Sequence, residues 1–177
     1  MPQELSAERD RFLVLFDRLA EWTNKWIELT PPDKLDWVPI ENDAMRYGDR
    51  LSRVTTKNLF VHTIVAEHFW ARALGEVEDG KDIGLPMNAA LSEELDTGDL
   101  VGRAVDIHKE NMELFGAYTE EQLGKNILFV DREWTMNGFL WGVYSHRAFH
   151  LGNIDVLLRQ GGVEAPDYFL FPAAVMA

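Results

Sequence analysis

A chain of 177 residues with 30 acidic and 17 basic side chains has a net charge of −13. Such a surface repels phosphate backbones, which excludes nucleic-acid binding driven by counterion release. The chain has no cysteine, which excludes disulfides, thiolate metal sites and a thiol nucleophile of its own.

The length suits a single domain, 1–177, with a sizeable core. No apolar run approaches the ~20 residues of a membrane span. The opening "MPQELSAERD" lacks the apolar segment of a secretory signal. A soluble cytoplasmic protein that engages neither nucleic acid nor membrane is expected.

The first predicted helix covers Ala7 to Leu29, where Phe12, Phe16, Leu19, Thr23 and Trp26 recur at steps of three and four. "TPPDKLDWVP" ends it, because consecutive prolines cannot continue the hydrogen-bond ladder. A connection through Arg50 follows, carrying Trp37 and Tyr47. The second helix covers Ser52 to Leu74, with Gly75 as its C-cap, and its stripe reads Thr55, Leu59, His62, Ala66, Phe69 and Ala73. Between Glu76 and Asp99 there are eight acidic residues and one basic, a pattern expected of a solvated, loop-rich surface.

The third helix covers Asp99 to Tyr118, with Thr97 or Asp99 as cap and a stripe of Val101, Val105, His108, Met112 and Phe115. "GKNILFVDREW" then makes a connection with room for local extended structure. Thr135 caps the fourth helix, which runs to Gln160 and closes at Gly161 and Gly162. Its stripe is Phe139, Val143, His146, His150, Ile154 and Leu157. Four amphipathic helices predict an all-α four-helix bundle. The tail 163–177 holds the apolar "DYFLFPAAVMA", expected to dock on its own bundle or on a dimer partner.

The histidines are the chemically informative residues. His146 and His150, spaced i,i+4, share a helix face with Cβ atoms ~5–6 Å apart, so their ring nitrogens can meet at one ion. His62 lies on the second helix's stripe and can reach the same point across the core. Burying several imidazoles without partners costs ~1–3 kcal/mol each, and a shared metal removes that cost. Three imidazoles with an open fourth position describe a catalytic type of site in the bundle core.

His108, also on a stripe, can serve as fourth ligand, orienting partner or proton shuttle, or can pack alone. His68, six residues after His62, is expected at the surface. Glu67 falls off the stripe, as a solvent-facing, interhelical or ligand-orienting polar residue. The Glu-x-x-His pair of di-iron bundles, HExxH, Walker, G-x-S-x-G and dinucleotide signatures are all absent.

"LFVHTIVAEHFW" around His62 and "HRAFHLGNIDVLLRQGG" around His146 and His150 resemble the DinB/YfiT-like superfamily of metal-dependent four-helix bundles. "LDWVP" and "APDYFLFP" are also similar to its layout, so the likeness runs over almost the whole chain. The family commonly follows its last histidine with Arg-Gly-Gln, where this chain has Leu151, Gly152 and Asn153.

The resemblance implies a divalent metal, often zinc or nickel, held by His62, His146 and His150, and frequent homodimers; three imidazoles also suit iron. It also implies a small-molecule chemistry: a transferase or isomerase using a low-molecular-weight thiol such as mycothiol or bacillithiol, or a hydrolase. His108, then Glu67, are the candidates for general acid–base catalysis. The alternatives are a metal-dependent small-molecule binding module without turnover, and a bundle that its metal merely stabilises.

Overall fold

The computed structural model describes residues 4–38 and 54–164. Tyr47, the start of the second helix at Ser52 and the tail from residue 165 lie outside the described residues. The elements are α1 (Leu5–Leu29), α2 (Pro32–Leu35), α3 (Thr56–Glu76), β1 (Lys81–Asp82), α4 (Ala89–Thr97), α5 (Leu100–Gly116), α6 (Glu120–Leu123), β2 (Asn126–Phe129), β3 (Arg132–Thr135) and α7 (Met136–Gln160).

The four expected long helices are α1, α3, α5 and α7, and they form the all-α four-helix bundle. Side-chain caps set three of their starts: Thr55 accepts from the Asn58 N–H, Asp99 from Gly102 and Thr135 from Gly138. The helix expected to stop at Gly75 continues to Glu76, with Val77 as its C-cap.

α1 and α3 each pack against both α5 and α7, so α1 lies diagonal to α3, and α5 to α7. Two apolar clusters fix the directions. One contains Phe12, Trp70, Phe115 and Phe139; the other contains Trp26, Leu59, Ile107 and Ile154. α1 and α7 run from the first cluster to the second, whereas α3 and α5 run back. The topology is therefore up–down–down–up.

Between the clusters three helices bury polar side chains, Glu67 on α3, His108 and Asn111 on α5 and Arg147 on α7, and the exposed Asp17 of α1 meets His108 at the edge of this layer. The core is thus two apolar halves with a polar layer across the middle.

One connecting segment departs from expectation and another bears it out. The acidic stretch after Glu76 is more ordered than a loop-rich surface: Asn88 caps α4, whose Leu91 and Leu95 are buried against α3 and α5. One i,i+4 leucine pair is enough to dock a short helix whose other face stays charged. "GKNILFVDREW" is extended, as β2 paired antiparallel with β3 and parallel with β1 in a three-stranded sheet of order β1-β2-β3. Among the described residues no helix is long and apolar enough to cross a membrane.

Candidate metal centre and its neighbouring cleft

α3 and α7 run antiparallel and in contact, and they bring His62 beside His146 and His150. Nε2 of His62 lies 3.2 Å from Nε2 of His146, so one ring donates to the other. Ring centroids are separated by 5.2 Å for His62–His146, 5.0 Å for His62–His150 and 4.5 Å for His146–His150. One ring nitrogen from each of the three falls within 4.8 Å of the others. Facing imidazole nitrogens are the donor set that zinc, nickel or iron accepts.

His150 is buried, and burial followed by the neighbouring His62 lowers its pKa from 6.5 to about 4. It is therefore neutral near pH 7, the form that ligates. His62 and His146 are only partly buried, so the cluster is open on one side.

His146 also lines a cleft of about 470 Å³. The Trp70 ring meets His146 edge-on at 4.9 Å and fixes the imidazole's tilt. The cleft's remaining walls come from the β2–β3 hairpin and the first half of α7.

Behind the cluster, Arg147 points the other way from its neighbour His146, into the polar layer. It is fully buried and donates through Nε to Glu67 Oε1 at 2.8 Å and through Nη2 to Glu67 Oε2. Glu67 is equally buried, so its place is interhelical. Burial pushes its carboxyl above the ordinary range, against the opposing pull of Arg147. This pair pins the rotation of α7 against α3 one residue from His146.

The structure does not bring His108 into the histidine cluster or to the cleft. Its ring lies 5.3 Å from that of Phe16, and its Nε2 donates to Asp17 Oδ1 at 3.0 Å. Burial and then the Arg147 charge lower its pKa to about 4, against the pull of Asp17. His108 is thus a neutral member of the polar layer.

His68 is not at the surface. It is buried, its Nδ1 donates to Asn111 Oδ1 at 2.9 Å, and its Nε2 accepts from Arg72 Nε at 3.0 Å. Both ring nitrogens are used within the bundle, at the α3–α5 contact.

The architecture is similar to that of a solved structure, a DinB-like protein (YjoA) from Bacillus subtilis. The TM-score is 0.65, with 23% sequence identity over 89% of this chain and 96% of the other. The chain has the DinB-like fold. The expectation drawn from the motifs around His62 and His150 therefore holds for the architecture. No family model and no curated protein matches the sequence. The DinB-like bundle supplies what the site needs, two antiparallel helices whose facing stripes can each carry imidazoles at one level.

Proposed function

We propose that this chain is a metal-dependent enzyme acting on a small molecule, with His62, His146 and His150 holding a divalent cation, zinc or nickel ahead of iron. The observation that carries the reading is the convergence of three imidazoles from two helices beside an open cleft. Three imidazoles with only packing duties have no reason to bring their ring nitrogens together beside a cleft.

When bound, the ion supplies Lewis acidity at its remaining coordination position, lowering the pKa of a water or thiol there. The chain has no cysteine, so a thiol nucleophile comes from outside as a low-molecular-weight thiol. The reaction is then a thiol-dependent transfer or isomerisation; with water it is a hydrolysis. His62 and His146 face the open side, and His150 closes the buried side. Glu67 and Arg147 hold α3 and α7 in register, so the three nitrogens stay convergent. The cleft seats the substrate.

The test is metal analysis after purification with zinc or nickel offered. Wild type should retain about one equivalent, as a three-histidine site does, and His150→Ala close to none. Equal, near-zero metal in both would overturn the reading.

A further inference from the structure

The cleft beside His146 has a chemistry of its own. Its walls are Trp70, Phe129, Trp134, Trp141 and Phe149, and its floor is a small-residue strip on α7, Gly138, Gly142 and Ser145. Among the described residues that line it none is an acid, a lysine or an arginine, although the chain has a net charge of −13. A charged ligand group would lose its hydration there and meet no opposite full charge from the lining, only the Ser145 hydroxyl, the His146 imidazole and indole N–H groups.

The walls are also held in place. Phe139 meets Trp70 at 5.7 Å, Phe129 at 5.2 Å and Trp134 at 5.6 Å, all edge-on. An aromatic cage braced by its own contacts is formed before a ligand arrives. Its volume of about 470 Å³ lies within the range of small-molecule sites.

We propose that this cleft seats an uncharged, flat aromatic group of the substrate, with the reacting end of that molecule at His146. The proposal rests on the metal-centre reading only for which end reacts. The glycines are part of the site: a side chain at position 142 would project between Phe139 and Trp134, since a Cβ there already lies 3.8 Å from each. Alanine would be in ordinary contact. Leucine would fill the space, on a helix that gains propensity from losing glycine.

The probe is 1-fluoronaphthalene, titrated into the metal-free full chain and followed by fluorine NMR, with 4-fluoro-1-naphthoate as the charged comparator. Saturable binding of the neutral probe is expected, about tenfold or more tighter than the naphthoate. Gly142→Ala should bind within about threefold of wild type, while Gly142→Leu should lose about tenfold or more. Phe149→Ala, a change at an exposed wall residue, should weaken binding without lowering thermal stability. His150→Ala should bind the probe as wild type does, so the cleft stands or falls separately from the metal content.

Absence of saturable binding to wild type would overturn the proposal, whether residues 165–177 or a second copy of the chain fills the space. Undiminished binding to Gly142→Leu, or preference for the naphthoate, would overturn it as well.

Discussion

Glu67 on α3 and Arg147 on α7 form a two-point ion pair with neither side chain exposed to solvent. Two charges removed from water are costly, and their mutual attraction roughly offsets that cost only while both are present. Arg147 also lies with its guanidinium carbon 5.5 Å from the centre of the Phe16 ring, and its Nη1 has no hydrogen-bond partner among the described residues. Truncating one partner therefore strands the other. Glu67→Ala or Arg147→Ala should each destabilise by about 3–5 kcal/mol, read from urea unfolding. Glu67→Leu combined with Arg147→Met should recover most of that loss. A single truncation costing under about 1 kcal/mol would show that water reaches the pair.

The helical period made the three histidines legible. His62, His146 and His150 each occupy a stripe position, and the structure brings them together. The period did not reveal Glu67, Arg147 or His68, because it assumes one buried face per helix. In this bundle α3 is covered by both α5 and α7, and α7 by both α1 and α3, so the buried arc is wider than a stripe. His68, on the far side from His62, accordingly meets Asn111 of α5. A signal for the ion pair was present: Glu67 is the sole acid between Thr55 and Glu76, and Arg147 the sole Asp, Glu, Lys or Arg between Glu133 and Asp155. Isolated opposite charges on two apolar helices are natural partners. His108 shows the converse, since a stripe position gives direction but not the level at which a side chain enters the core.

His108 makes stability depend on pH. Its folded pKa lies near 4 against 6.5 in an unfolded chain. The unfolded state therefore binds the extra proton between these values, and stability falls as pH drops through that window. The full effect for His108 is about 3 kcal/mol by pH 4, and His150 shifts in the same direction. Metal-free His108→Gln should show a shallower loss of stability between pH 6.5 and pH 4 than wild type. An identical slope would mean that His108 titrates with solvent.

The turn joining β2 to β3 is strained. Val130 and Asp131 have φ of 51° and 56°, and they form the two-residue link between Phe129 and Arg132. Such turns favour Asn-Gly, and a β-branched residue at positive φ is costly. Val130 is exposed and its side chain contributes little packing. Val130→Asn should stabilise by about 1 kcal/mol, raising Tm by about 2–4 °C. Because Phe129 and Trp134 on this hairpin wall the cleft, binding of the naphthalene probe should be kept. A lower Tm would mean that the turn is held by contacts of the valine itself.

Metal binding should be visible as stability, because the folded chain brings the three imidazoles together and an unfolded chain does not. At a free metal concentration a hundredfold above Kd, zinc or nickel should stabilise the fold by about 2.7 kcal/mol. For a chain of this size the corresponding rise in Tm is about 5–10 °C. His146→Ala should abolish the rise, since His62 Nε2 would lose the nitrogen that faces it at 3.2 Å. His108→Gln should retain it, because His108 bonds to Asp17 and stands outside the cluster. This pair of variants separates ligation from a general sensitivity of the polar layer to histidine loss. A rise that survives in His146→Ala but disappears in His108→Gln would move the metal to the layer around Asp17. No rise in wild type at any accessible zinc or nickel concentration would remove the metal from the account.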